Sequence, residues 1–480
     1  MSEYKHGSFA KELPTAIQGV ITTSAGISFV VGVAPINQVD ENNVNQLVRL
    51  TSLADAVTKF GYDDDFESYT LSEATFVFFS LYRVAPVYFV NVLDPAKHNK
   101  PVDPEINPQI NAQVVLSQKG AIKSTVVVKV AEVIKELGKD YSLAFNENNL
   151  LVVSAISGSS IKPADKLTTT YSVVDPSKVT SKEIIGGVDI KGVYSGIELV
   201  QKMRPKYRQL PGCLIAPKFS NDLSVAQALL SNAKSINKKF IADALIDLNT
   251  STMKTYADAV EVKSKAGLTD PHYCVCVGDL LVAGVRHNQS THLAAVRQYV
   301  TAVNDGVPNK NSSNKSYQIN GYQINGSDPD LEESQAEHLN ANGMIVALNS
   351  DNGWVSWGNR TACYPGNPDV KDYDIAVRQM GNYLINNCII ATMPNVDEQI
   401  DRAFILRVET KLQNWLDGLY GSGKLISGSI SFPIDENPLD ELLNGNVVFY
   451  LEYCTATTAS SITTKVAFNA KDLLTIFGAA

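Results

Sequence analysis

Apolar positions in this chain fall into two textures, short runs that alternate with period two and longer stripes with helical spacing, and their order predicts the architecture. The clearest unit spans residues 343 to 366. Met344-Ile-Val-Ala-Leu348 is a strand-length apolar run, and Asp351-Asn352-Gly353 offers residues that tolerate the positive φ of a tight turn. Trp354-Val-Ser-Trp357 returns, so the unit reads as a β-hairpin closed by Pro365-Gly366. It holds no paired carboxylates, no histidine, and one cysteine without a base beside it.

Before the hairpin, Ile27–Val31, Gln46–Leu50 and Pro86–Leu93 read as strands. Ser52 is placed to cap a helix running to Lys59 and ended by Gly61, and Leu71–Tyr82 is apolar on most faces, as in a buried helix. Four prolines between Pro95 and Pro108 read as a linker. Short β-type runs then follow at 114–116, 124–133, 141–145, 150–155 and 168–174, predicting a small all-β module. Alternation of strand and helix resumes after Gly186-Gly187, so the module reads as an insertion. From Gly192 to Asp305 strands at 213–216, 240–246 and 272–277 alternate with helices at 195–203, 222–236, 251–261 and 291–303, which predicts a layered α/β body with a parallel component.

After the hairpin, Asp374–Asn387 reads as a helix and Cys388–Thr392 as a strand. Asp397 then caps a helix to about Leu419, with Ile400, Phe404, Val408, Leu412, Trp415 and Leu416 as its apolar stripe. Val447–Tyr453 alternates, with Val448, Tyr450 and Glu452 on one side and Phe449, Leu451 and Tyr453 on the other. Ile462–Phe468 is its expected partner strand. Residues 1–22 carry Gly7, Pro14 and Gly19 and the β-favouring pairs Ala16-Ile17 and Val20-Ile21; they read either as a frayed tail or as a strand for another chain's sheet edge.

Length and composition narrow the function. At 480 residues the chain calls for two or three domains, and 44% apolar with 19% charged residues is globular composition. The net charge of −9 (41 basic, 50 acidic) argues against a large nucleic-acid footprint. No run reaches the ~18 apolar residues of a membrane span, and the N-terminus lacks a signal-peptide pattern, so synthesis and retention in the cytoplasm are expected. The six cysteines are expected as small buried thiols.

Candidate chemistry is thin. His272, Cys274 and Cys276 share a strand face, but C-x-C within an apolar strand lacks the turn geometry of a zinc site. Asp243 and Asp247 sit at a strand end without a phosphate-binding loop or nucleophile motif, so capping or surface roles are expected. His287 and His292 are five apart, off metal-binding helical spacing, and Asp63, Asp64 and Asp65 read as a solvated loop. No catalytic, cofactor or metal residues are expected.

One family accounts for the remaining strings. WGNRTACYP at Trp357–Pro365 resembles the C-terminal domain of contractile phage tail sheath proteins, the sheaths of myophage tails, R-type tailocins and related contractile injection systems. Three further stretches resemble the same family in order: Thr22–Pro35 (TTSAG, ISFVVGVAP), the loop Val307–Asn314, and the turn at Glu436–Gly445. The resemblance implies a multi-domain α/β protein: an N-terminal arm at 1–22, a mixed α/β core at 23–95 and 188–340, an inserted all-β outer domain at 96–187, a C-terminal α/β domain facing an inner tube at 341–470, and a C-terminal arm at 471–480. It implies arm contacts between subunits at Ala16, Ile17, Val20, Ile21, Leu473, Leu474, Ile476 and Phe477. Tube-facing residues would be Arg402, Arg407 and Lys411, and a structural role falls to Trp357, Gly358, Asn359, Arg360 and Thr361. Implied partners are further copies stacked as rings in a helical sheath, the inner tail tube protein, and baseplate and tail terminator or collar proteins, with no cofactor, nucleic acid or membrane insertion. The product would be made in a bacterial host's cytoplasm and released on lysis as part of a phage tail or tail-like particle. From the residues alone, an α/β enzyme or ligand-binding protein without a recognisable catalytic motif is the alternative, and another self-assembling surface or capsid protein a third.

Overall fold

The computed structural model describes residues 25–351 and 353–477, with the backbone only at Lys471, Leu474, Thr475 and Phe477. Ala16, Ile17, Val20 and Ile21, and the side chains of Leu474 and Phe477, therefore lie outside the described residues.

A nine-stranded mixed sheet organises the body. Its middle is parallel, in the spatial order Val87–Asn91, Ser28–Gly32, Cys213–Ile215, Asp243–Asp247, Tyr273–Cys276 and Met344–Ser350. Val48–Leu50 closes one margin antiparallel, and Gly353–Trp357 followed by Lys315–Ser316 closes the other. The middle strands are buried along most of their length, which is why they read as unbroken apolar runs. Helices Leu223–Ala233 and Gln289–Ala302 pack on this sheet. The second is buried on every face except at Tyr299 and Ala302, so its polar residues, Arg297 among them, must find partners inside. The expected hairpin forms as read, with Gly353 at φ +84, and Ser52 caps Leu53–Phe60, its hydroxyl accepting from the Asp55 amide at 3.2 Å.

Residues 99–174 build two small antiparallel sheets of four and three strands around a core of their own, with Val114, Tyr141, Leu151 and Val153 meeting Val128, Leu167 and Tyr171. The proline-rich segment is not a linker. Asn99–Pro108 is a ten-residue strand paired with Lys166–Val174 across a bulge. It lies at the sheet edge, where a missing N–H costs no ladder bond, and so proline is tolerated. The acidic loop is not wholly solvated either. Asp63 is buried, pairs with Lys119 at 3.2 Å and accepts from Asn149 at 3.0 Å, tying the body to the small sheets.

Other expectations shift. The helix expected at 251–261 runs from Asp258 to Lys265, and the one expected at 195–203 is a 3-10 stretch at Gly196–Lys202 followed by a helical turn at Met203–Tyr207. Cys388–Thr392 is not a strand: helix Ile375–Thr392 continues through it, because burial against the body outweighs the β preference of its isoleucines. The cap of the next helix, Arg402–Gly421, is Asp401, whose carboxylate accepts from the Phe404 amide at 2.7 Å; Asp397 lies outside at φ +69. Replacing Asp401 with alanine is expected to cost about 1 kcal/mol, read as a lower urea midpoint at unchanged slope; an unchanged midpoint would show that the cap is idle.

Candidate assembly surfaces

Helix Arg402–Gly421 buries Phe404, Val408, Leu412, Leu416 and Leu419. It packs on a two-stranded sheet of Ser427–Ser431 and Tyr450–Cys454. Ile430, Leu451 and Tyr453 face inward and Tyr450 and Glu452 face out, matching the alternation read from the sequence. Ile462–Phe468 does not pair with this sheet, which has two strands and, among the described residues, two open edges. Instead the chain leaves Cys454 without regular structure as far as Asn469, with Ile462 86%, Val466 92% and Phe468 88% exposed. In an extended chain these three side chains share one face with Thr464. Leu473 and Ile476 are exposed as well, in a short 3-10 stretch at Ala470–Phe477.

The tube-facing candidates differ among themselves. Arg402 is exposed at the helix start, Arg407 is exposed but paired with Glu398, and Lys411 is half-buried with its Nζ donating to the Ala391 carbonyl at 2.9 Å. On the same helix Leu406 and Tyr420 are exposed apolar surface.

The 357–361 string is a backbone junction. Gly358 stands at φ +145, where a Cβ would lie 2.8 Å from the Met344 carbonyl, so only glycine lets the hairpin strand turn out of the sheet. Trp357 Nε1 donates to the Asn340 side chain, and Thr361 Oγ1 donates to the Asp372 carbonyl at 2.7 Å. The Arg360 guanidinium lies 4.3 Å from the Tyr373 ring centroid and 5.3 Å from that of Tyr364. Asn359 Nδ2 and Arg360 Nη2 donate to Ser460 Oγ at 2.8 and 3.1 Å. Asp374, buried at the start of helix Ile375–Thr392, accepts from the Ala376 amide at 3.0 Å, from Thr458 Oγ1 at 3.2 Å and from the Thr458 amide at 3.3 Å. Asn311 Nδ2 donates to Thr458 Oγ1 at 3.3 Å. Thr458 and Ser460 were missed in the sequence, where the polar run after Cys454 gives no sign of its partners.

The chemical candidates are buried structural groups. His272 and Cys274 line the sheet interior, His272 Nδ1 lying 3.3 Å from Asp243. Neither Asp243 nor Asp247 is on the surface. Asp247, at the end of its strand, caps helix Gln289–Ala302, accepting from the Ser290 amide at 2.8 Å and from its hydroxyl, so the capping expectation holds there and the surface one does not. His287 and His292 stack edge-on in the core, ring centroids 5.2 Å apart. Of the cysteines, Cys454 is exposed and Cys388 half-buried, against the expectation of uniform burial. Among the described residues no group of three or more His, Cys, Asp or Glu is placed to hold a metal ion, and no helix is long and apolar enough to cross a membrane.

No family model matches the chain. It is 25% identical to the tail sheath protein of Burkholderia phage BcepMu, over 99% of both chains. Among solved structures it is similar to the contracted helical sheath of the anti-feeding prophage, with 15% identity, a TM-score of 0.58, and 96% of this chain and 99% of that one covered. It is likewise similar to the contracted sheath complex of the extracellular contractile injection system PVC, with 13% identity, a TM-score of 0.57, and 98% and 99% covered. Taken with the order of the four sequence strings, the chain is similar from end to end to a phage tail sheath protein and shares its mixed α/β fold with the sheaths of contractile injection systems.

Proposed function

We propose that the chain is the structural subunit of a contractile sheath, polymerising as stacked rings around an inner tube and repacking from a metastable extended state to drive that tube through a target envelope. Its work is mechanical and takes no enzymatic step. The observation that carries this reading is that one chain presents both halves of a strand-addition joint. The two-stranded sheet 427–431/450–454 has open edges, and residues 462–468 form an apolar-faced segment exposed to solvent. Strand addition supplies backbone hydrogen bonds worth about 0.5–1.5 kcal/mol each. Several per arm act together through the linker that holds them. Such a contact is heterologous, one patch meeting a different patch on the next copy, and heterologous contacts generate helical assemblies.

On this reading residues 1–22 are the N-terminal arm, 23–95 and 188–340 the core, 96–187 an inserted outer domain, and 341–460 the domain toward the tube; the C-terminal arm, placed at 471–480 from the sequence, starts earlier and takes in 462–468. Arg402, Arg407 and Lys411 are its tube-facing cations, and Arg402 is the foremost because its charge is exposed at the helix start. Partners at the sheath ends are baseplate and terminator or collar proteins, in a phage tail or tail-like particle. Deleting Met1–Thr22 is expected to leave a folded, soluble subunit that forms no sheath-like tubes by electron microscopy; tubes of normal yield from that deletion would remove the arm mechanism.

A further inference from the structure

We infer that the 357–361 junction is the anchor of the C-terminal arm: with Asn311 and Asp374 it grips Thr458 and Ser460, fixing where the arm leaves the body and making Ser461 its first free residue. The inference rests on the sheath reading for its purpose but on geometry for its existence. Chain between Cys454 and Asn469 has no regular structure, and every residue from 459 to 469 is exposed. Thr455, at its start, is buried with its hydroxyl donating to the Lys424 carbonyl at 3.5 Å; beyond it, between 456 and 461, the side-chain hydrogen bonds to the body gather on two neighbouring positions. Thr458 is held on both sides, by Asn311 at 3.3 Å and by the Asp374 carboxylate at 3.2 Å through its hydroxyl and 3.3 Å through its amide. Ser460 accepts from Asn359 and Arg360.

The gripping groups are themselves immobilised. Asp374 is buried and fixed by capping helix Ile375–Thr392, and Arg360 is held over two tyrosine rings, with Asp374 3.8 Å from its Nη1. A rigid guanidinium and a helix-capping carboxylate are costly to provide for a passive tail. They suit a point that must bear tension while the chain beyond it is bound elsewhere. Anchoring at 458–460 shortens the span the arm must search, and a shorter tether raises the effective concentration of its strand at a neighbour's sheet edge. These residues are positioning residues.

The test is the double variant T458V/S460A in the full chain, which removes two small hydroxyls and leaves the backbone free to fold. Hydrogen exchange of the peptide covering 455–461 in the monomer is expected to rise about tenfold or more, since several hydrogen bonds of about 1 kcal/mol are lost. The melting temperature should be unchanged, and the yield of tubes should fall several-fold. Unchanged exchange at 455–461 would overturn the anchor, and so would raised exchange with tubes forming as readily as wild type. If wild-type chain forms no tubes under any condition tried, the sheath reading fails, and the exchange comparison still decides whether the anchor exists.

Discussion

Replacing Arg297 with methionine is expected to destabilise the fold by about 3–5 kcal/mol, the cost of leaving one member of a buried ion pair without its partner. Arg297 Nη2 donates to Asp243 Oδ2 at 2.6 Å, and both side chains are over nine-tenths buried. Asp243 also accepts from Asn382 at 2.9 Å, and Gln379 turns its side-chain oxygen to the guanidinium. Burial opposes the charged form of Asp243, and the Arg297 and His272 side chains overcome it, holding its carboxyl below the usual range. Without Arg297 the burial penalty is opposed only by His272 and Asn382, so the carboxyl should hold a proton more readily in the folded state. The deficit of the variant should therefore shrink toward acid pH. A double variant R297M/D243L, which removes both charges, should recover about half the loss, since apolar replacements of a buried pair are often neutral. The check is urea unfolding at pH 7 and pH 5. A single variant within about 1 kcal/mol of wild type would show that water reaches the pair and relieves it.

That network explains the limits of what the sequence could yield. The hairpin 344–357, the middle strands and the Ser52 cap were legible because their signals are local: period, turn residue, hydroxyl. The pairing of Asp243 with Arg297 and Asn382 joins positions far apart in the chain, and its only trace was a charge inside an apolar run. Asn386 adds to the same seam, bonding both the amide and the carbonyl of Ile241 at 2.9 and 2.7 Å. Helix Ile375–Thr392 is therefore held to the body by amides on one face, a pattern that reads as ordinary surface in a sequence. Its end was misread because Cys388–Thr392 is strand-like in composition and no polar residue marks its continuation. Ile462–Phe468 was likewise read as a strand, but strand-like residues do not name a sheet, and among the described residues the segment pairs with none.

The core around His287 should make stability respond to pH in opposite directions at two positions. The His287 ring lies against Phe66 at 5.2 Å, Phe76 at 5.9 Å and His292 at 5.2 Å, and neither of its nitrogens has a hydrogen-bond partner. Burial lowers its pKa to about 4, and burial together with His287 pushes His292 well below the usual histidine range. Nearby, Glu73 bonds the Asn288 amide at 2.8 Å and its side chain at 2.5 Å, and burial raises its pKa to about 8 against those bonds. Burial likewise raises Asp247 to about 6. For the histidines the unfolded chain binds more protons between pH 6.5 and 4, so stability falls on acidification through that window. For Glu73 the folded chain binds more protons between the usual carboxylate range and about 8, so its contribution is complete in acid and lost as pH rises. Because Glu73 and Asp247 gain where the histidines lose, wild-type stability should be nearly flat around pH 5, and only differences between variants and wild type expose the parts. His287→Leu loses no hydrogen bond, and its stability relative to wild type should climb by about 3 kcal/mol from pH 6.5 to 4. Glu73→Gln, an isostere of the protonated acid, should gain on wild type in the opposite direction, by about 4 kcal/mol between pH 5 and 8. Unfolding free energies measured across pH 4 to 8 decide the matter. Parallel pH profiles for wild type and both variants would mean that solvent reaches this core and that its burial does not set the protonation of either group.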